Sequence, residues 1–137
     1  MQFDHVGVLV ADLEQAKAFA RDVLGLGDPA VEFEAPEHGL AGAFFGLGTG
    51  RLELFTLEST GDRLPAGHQA AVDHVAVKVK DLDAEQQRLA ASGVTFTGPA
   101  TPEPVQAPVD LRGGRHLWTA PETSGGYMLQ IIEDPDL

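Results

Sequence analysis

The chain contains the stretch FDHVGVLVADL at residues 3–13 and a near copy of it, VDHVAVKVKDL, at residues 72–82. In both copies valines occupy every second position, which is the period of a β-strand with one apolar face. An aspartate follows each strand, Asp12 and Asp81, where a side-chain oxygen would cap the first turn of a helix. The repeat therefore predicts two related units that each begin with a strand and a helix.

The remaining elements follow the same order in both halves. The helices are predicted to end near Leu24 and Ser92, because Gly25 and Gly93 are typical stop residues. Further strands are predicted at 30–35, 41–47 and 51–57 in the first half and at 94–97, 114–119 and 126–132 in the second. The proline-rich residues 98–108 are expected to form a loop, because proline does not fit a central strand.

These elements predict an α+β fold with two tandem βαβββ modules. We expect a single domain with modules at about 1–64 and 72–137, joined by a linker at 65–71. Their sheets would form a curved half-barrel with the helices outside.

Side chains alternate across a strand, so the residues between the packed valines and leucines are expected to face the inside of the half-barrel. Four polar residues fall on that face: His5, Glu53, His74 and Gln130. Two imidazoles, a carboxylate and an amide oxygen suit Zn, Co, Ni, Mn or Fe(II) better than Ca or Mg. The alternatives are buried or rim histidines with ordinary partners and a solvent-facing glutamate on an edge strand.

The composition excludes several classes of protein. Nine basic against twenty-one acidic side chains give a formal charge of −12, which argues against nucleic acid as a partner. There is no cysteine, so thiolate metal sites are excluded. No apolar run is long enough to span a membrane, and no signal peptide is recognisable. We therefore expect a cytoplasmic protein, and this composition still permits a small anionic ligand held by a few local basic groups.

Three stretches carry a resemblance to a known family: DHVGVLVADLEQAKAFARDVLGL, APEHGLAGAFFGLGTGRLELF and DHVAVKVKDLDAEQQRLAASGV. The chain resembles the vicinal oxygen chelate superfamily, which includes glyoxalases, bleomycin-resistance proteins and dioxygenases. Within it, the segment PEHG and the ending TSGGYMLQIIE are most similar to the methylmalonyl-CoA epimerases.

The resemblance implies an epimerase or isomerase that acts through an enolate on a carboxyl-bearing acyl-CoA such as methylmalonyl-CoA. It places a divalent metal at His5, Glu53, His74 and Gln130, makes Glu37 the general base, and implies a homodimer. The epimerases usually have glutamate where this chain has Gln130. An amide can bind a metal but does not transfer a proton at neutral pH, so His38, His116 and a metal-bound water are candidates for the second proton donor.

Four other residues have both a functional and a structural interpretation. Arg112 and Arg115 flank two glycines in RGGR, which indicates either an anion-binding nest or, as we favour, a hairpin turn with solvated arginines. Trp118 alternates with His116 and would line the half-barrel or pack in the core. Arg51 would contact an acidic substrate or lie at the rim.

Two other functions are compatible with the same residues. A glyoxalase-like lyase or isomerase would use the same metal site on another substrate. A binding protein that sequesters an antibiotic-like ligand would share the fold, but such relatives often lack the metal ligands.

Overall fold

The structure is a computed structural model that describes all residues, 1–137. The chain divides into two compact units, which we call the first unit (residues 5–73) and the second unit (residues 1–4 and 74–137).

The first half of the chain has four strands and two short α-helices. Its elements are β1 (Gln2–Val10), α1 (Leu13–Ala18), β2 (Val31–Ala35), β3 (Leu40–Leu47), β4 (Gly50–Leu57) and α2 (Thr60–Arg63). A π-helical turn, Phe19–Val23, continues α1, and a 3-10 turn, Pro36–His38, precedes β3. The first three residues of β1 belong to the second unit.

The second half repeats this plan with more and shorter strands. Its elements are β5 (Ala70–Val79), α3 (Leu82–Ala90), β6 (Phe96–Thr97), β7 (Pro104–Val105), β8 (Val109–Leu111), β9 (Gly114–Thr119) and β10 (Leu129–Glu133).

The sheet of the first unit has the strand order β2-β3-β4-β1, with β1 and β4 parallel and the other pairs antiparallel. Val10, Phe45 and Leu54 are buried on one face, against Ala20 of the π-helical turn. The alternation of side chains leaves the opposite face to His5 and Glu53.

The sheet of the second unit has the order β5-β10-β9-β6-β7, with β8 paired to β9. As in the first half, the last strand is parallel to the first, here β10 to β5. Leu117 and Ile131 pack with Leu82 of α3 in the core. This arrangement confirms the predicted α+β fold with the β-α-β order repeated.

Both helix caps and most of the strands confirm the sequence predictions. Asp12 accepts a hydrogen bond from Gln15 N at 3.0 Å, and Asp81 accepts one from Ala84 N at 2.9 Å. Gly25 and Gly93 have positive φ angles of 72° and 89° after the helices, as the stop signals predicted.

Three boundaries differ from the predictions for local reasons. The strand expected at 126–132 begins at Leu129, because Gly125 and Gly126 have positive φ angles of 77° and 92° and cannot extend it. The strand expected at 94–97 is reduced to β6. The predicted loop 98–108 contains the two-residue strand β7, whose position at the end of the order is one that proline tolerates.

None of the helices has both the length and the apolar character that crossing a lipid bilayer would require.

Candidate functional site

The first unit brings together His5 of β1 and Glu53 of β4. The strands run parallel with Gly7 opposite Glu53 and His5 opposite Arg51, so the two side chains share the face away from α1. His5 is 0% and Glu53 4% exposed, and His5 Nε2 lies 3.6 Å from Glu53 Oε2. This distance is longer than a hydrogen bond. A buried carboxylate beside an imidazole is a His/Glu pair of the kind that binds divalent metals.

Phe44 holds His5 from the side of β3. It lies opposite Glu53 in the antiparallel pair, and its ring meets the imidazole edge-on with centroids 5.0 Å apart. The Arg51 guanidinium stacks 4.3 Å above the same ring, which is a cation–π contact. Arg51 is half-buried at this position. Arg51 thus lies next to His5, as expected for a residue on the strand of Glu53. The contacts of the Phe44 ring with both His5 and Arg51 were not predicted from the sequence.

The second unit places His74 of β5 and Gln130 of β10 on one face. Gln130 pairs with Ala76, two residues beyond His74, so the alternation of β5 turns both side chains the same way. Both are buried, Gln130 with 1% exposure. The Gln130 side chain has Nε2 3.0 Å from His116 Nδ1, whereas its Oε1 atom has no hydrogen-bond partner. A buried acceptor of this kind is costly unless something binds it.

His116 and Trp118 lie on β9 beside Gln130. Trp118 pairs with Gln130 and His116 with Ile132, so the ring of His116 reaches Gln130 diagonally across the strands. Both rings are buried and stacked, with centroids 5.7 Å apart and planes 15° from parallel. His116 Nε2 also lies 3.1 Å from the carbonyl oxygen of Leu111. Trp118 is therefore a buried residue on the same face as Gln130.

Thr97 is a residue of this face that sequence reasoning missed. It pairs with Trp118, so Thr97, Trp118 and Gln130 form one row of neighbours across three strands. Its hydroxyl is buried without a partner, like Gln130 Oε1. Its position next to Phe96, which is buried in the core, could have predicted that Thr97 faces the opposite side of the sheet.

The RGGR segment forms the hairpin turn between β8 and β9. Leu111 pairs with Gly114, and Arg112 and Gly113 have φ angles of 51° and 77°, as a two-residue hairpin requires. Arg115 is ion-paired and not only solvated, contrary to the expectation. It donates to Asp83 at 2.7 Å and to Glu133 at 3.0 Å, and these two bonds raise the pKa of its guanidinium. Its charge is therefore used within the protein.

Glu37 and His38 lie in the 3-10 turn between β2 and β3. Glu37 is exposed and His38 is half-buried. Gly39 ends the turn with φ 61°, donates to Pro36 O at 3.0 Å, and accepts from Glu58 N at 2.9 Å. A Cβ atom at Gly39 would come within 2.6 Å of Glu58 Cγ, so this turn depends on glycine. The turn that carries the Glu37 carboxylate is thus hydrogen-bonded to Glu58, the residue that follows β4.

A separate cavity of about 370 Å³ lies in the first unit on the face covered by α1. Val8, Val10 and Leu54 line it together with Phe19. These side chains belong to the opposite face from His5 and Glu53. The cavity is therefore distinct from the His/Glu pair.

Comparison with known proteins matches residues 2–136 to the family model of the Glyoxalase/Bleomycin resistance protein/Dioxygenase superfamily. The chain belongs to this superfamily. Members of this superfamily usually bind a divalent metal. Each unit by itself contains donors of the kind that such an ion prefers: a buried imidazole and carboxylate in the first unit, and a buried imidazole and an amide oxygen without a hydrogen-bond partner in the second.

Two curated relatives and one solved structure define the similarity within the superfamily. The mitochondrial methylmalonyl-CoA epimerase of Bos taurus is 28% identical, over 95% of this chain and 73% of the relative. The lactoylglutathione lyase of Haemophilus influenzae is 30% identical, over 98% of this chain and 93% of the relative. The Streptomyces coelicolor methylmalonyl-CoA epimerase in complex with 2-nitronate-propionyl-CoA has a TM-score of 0.81 at 21% identity, over 98% of this chain and 97% of that one. The last comparison shows that the fold is shared.

Proposed function

We propose that the protein is a metal-dependent isomerase that epimerises a carboxyl-bearing acyl-CoA such as methylmalonyl-CoA. The epimerase relative supports this substrate class, since it aligns over nearly the whole of this chain. A carboxylate next to a thioester provides two oxygen atoms that a single ion can bind, and the proton between them is the one to be moved.

In this proposal His5, Glu53, His74 and Gln130 hold the ion, as the similarity to the epimerases implies. The observation that carries the proposal is the buried His5–Glu53 pair, whose Nε2 and Oε2 atoms lie 3.6 Å apart on one face of the first unit. These residues would hold a divalent metal, which would supply Lewis-acid stabilisation for the negative charge that develops on the substrate oxygens when the α-proton leaves. Such an ion would also offset the cost of burying the Glu53 carboxylate.

Glu37 is the proposed general base. Its carboxylate is solvent-accessible, and the Gly39 hydrogen bonds fix the turn that carries it. A positioned base of this kind contributes roughly 10²–10⁴-fold to a proton transfer.

The proton that returns to the opposite face needs a second donor. Gln130 is an amide and does not supply one. Both ring nitrogens of His116 face hydrogen-bond partners within the second unit, so we assign this step to His38 or to a water molecule. Arg51, half-buried beside His5, is the proposed contact for the substrate carboxylate, a positive group in a chain of net charge −12.

The test is exchange of the α-proton of methylmalonyl-CoA in D₂O, followed by mass spectrometry and by separation of the two stereoisomers. We expect the metal-loaded protein to incorporate deuterium. Glu37→Gln should slow incorporation by about 10²–10⁴-fold while the metal content of the protein stays unchanged. Glu34→Gln, an exposed glutamate on the neighbouring strand β2, is the matched control and should behave like the wild type.

Two results would contradict the proposal. If no deuterium enters, the acyl-CoA substrate is wrong. If deuterium enters equally fast with Glu37→Gln, the assignment of the base is wrong. Incorporation without racemisation would show a single working base and would locate the deficiency in the second proton donor.

The lactoylglutathione lyase relative favours one alternative, a glyoxalase-like lyase that uses the same ligands. Assaying the same metal-loaded protein for lactoylglutathione, detected by its thioester absorbance, separates the two functions. Formation of lactoylglutathione without α-proton exchange on the acyl-CoA would favour the lyase.

A further inference from the structure

The side-chain amide of Gln130 has its orientation fixed by His116. The carbonyl oxygen of Leu111 only accepts hydrogen bonds, so His116 Nε2, 3.1 Å away, must carry the hydrogen. In the neutral ring the other nitrogen, Nδ1, is then an acceptor. The atom of Gln130 that lies 3.0 Å from Nδ1 must therefore be the amide nitrogen, and Oε1 points the other way.

The ring of His116 is itself held in place. Trp118 stacks on it at 5.7 Å. Leu111, which supplies the carbonyl, is fixed by the β8–β9 hairpin, where it pairs with Gly114. The β8–β9 hairpin therefore positions the Leu111 carbonyl, this carbonyl orients the His116 ring, and the ring orients the Gln130 amide. The other end of that amide is Oε1, a buried oxygen atom without a hydrogen-bond partner.

We propose that His116 is a positioning residue that presents Gln130 Oε1 as a metal ligand. The inference rests on the proposed function, because it needs an ion for that oxygen to bind. Groups that ligate metals are generally oriented by such hydrogen-bonded neighbours, and losing one typically lowers metal affinity about 10–100-fold.

In its neutral Nε2–H form, the His116 ring favours an amide over a carboxylate at position 130. A glutamate there would turn an acceptor oxygen toward the lone pair of Nδ1, and two acceptors repel each other as long as the ring stays neutral. Gln130 and His116 are therefore matched to each other, and the presence of glutamine in this chain has a physical reason in the second unit.

The test compares two substitutions that differ in the contact to Gln130. His116→Phe keeps a ring against Trp118 and removes the acceptor. His116→Asn places a carbonyl oxygen near the former Nδ1 position and so retains an acceptor for the Gln130 amide. Co²⁺ affinity is measured by quenching of Trp118, the single tryptophan of the chain, with chelator competition as a second method and the thermal midpoint of the metal-free protein as the folding control.

We expect Co²⁺ affinity to fall about 10–100-fold in His116→Phe and to stay near the wild-type value in His116→Asn. If the wild type binds Co²⁺ and His116→Phe binds it equally well, the role of His116 is overturned while the metal site stands. If the wild type binds no Co²⁺, the proposed function fails and this inference with it.

A measurement on the unsubstituted metal-free protein keeps the inference testable if His116→Phe does not fold. Long-range ¹H–¹⁵N correlation NMR identifies which ring nitrogen carries the hydrogen. We expect the Nε2–H form of His116, and the Nδ1–H form would overturn the proposal.

Discussion

The two units contain equivalent histidines on equivalent strands, but each places a different oxygen-bearing side chain on the same face as its histidine. In the first unit His5 lies beside the carboxylate of Glu53, and Phe44 packs against the imidazole. In the second unit His74 shares its face with the amide of Gln130, which is held by His116. The repeated strand therefore determines the face on which each histidine lies. The neighbouring strands determine which oxygen-bearing side chain shares that face and which residues contact that side chain.

The first prediction tests whether the two histidines are equivalent. We expect His5→Ala and His74→Ala each to lower metal affinity by at least about 100-fold, since losing even a supporting neighbour costs about 10–100-fold. Metal content after dialysis against a chelator, measured by inductively coupled plasma mass spectrometry, gives the result.

His68→Ala, at an exposed histidine, is the control and should leave metal content unchanged. If one of the two substitutions retains the metal at wild-type affinity, that histidine is not a ligand, and the comparison between the two units fails.

Equivalent positions of the repeat also differ in burial, and the second prediction uses this difference. Leu13 and Leu82 both start a helix, but Leu82 is 0% exposed within the core and Leu13 is only partly buried. We expect Leu82→Ala to cost about 2–5 kcal/mol of the free energy of unfolding and Leu13→Ala less than about 2 kcal/mol, because less apolar surface is lost.

Urea unfolding of the metal-free variants measures both values. Equal losses would mean that α1 packs as tightly as α3, contrary to the burial of the two leucines.

Much of this comparison was predictable from sequence. Alternation on β1 and β4 was enough to place His5 and Glu53 on one face, and the aspartates that cap α1 and α3 were identified from their position after a strand. These features depend on residues close together in sequence, where the periods of strands and helices hold.

The contact between His116 and Gln130 was not predictable in the same way. It depends on the register of β9 against β10, which sets Trp118 opposite Gln130 and places His116 diagonally from it. A shift of one residue would turn one of the two side chains to the other face. The π-helical turn after α1 was also missed, because Leu24 N bonds to Phe19 O and the apolar pattern carries no sign of that wider turn.

The third prediction exchanges the oxygen ligand of the second unit for that of the first. Gln130→Glu adds a negative charge that should attract a cation, but its oxygen would face the acceptor Nδ1 of His116. We expect the local repulsion to dominate and metal affinity to fall about tenfold or more, within the range typical for a disturbed ligand neighbour.

Isothermal titration with Co²⁺ measures the change, with Glu122→Gln, in the turn after β9, as a control for net charge. A gain in affinity in Gln130→Glu would show that charge outweighs the match between the two side chains.

The smallest expected difference concerns the helix caps of the two units. Asp12 and Asp81 cap α1 and α3 through similar hydrogen bonds of 3.0 and 2.9 Å. The N-terminus of α3 has a second acceptor, because Glu133 Oε1 also accepts from Leu82 N at 3.2 Å. We therefore expect Asp12→Ala to cost about 1 kcal/mol of the free energy of unfolding and Asp81→Ala measurably less.

Thermal unfolding of the two alanine variants, each with its asparagine counterpart as a control, measures this difference. Asparagine caps about as well as aspartate, so Asp12→Asn and Asp81→Asn should stay close to the wild type. If Asp81→Ala proves as costly as Asp12→Ala, Glu133 does not support the N-terminus of α3. The arginine that holds Glu133, Arg115, would then serve only to join β9 to the helix through Asp83.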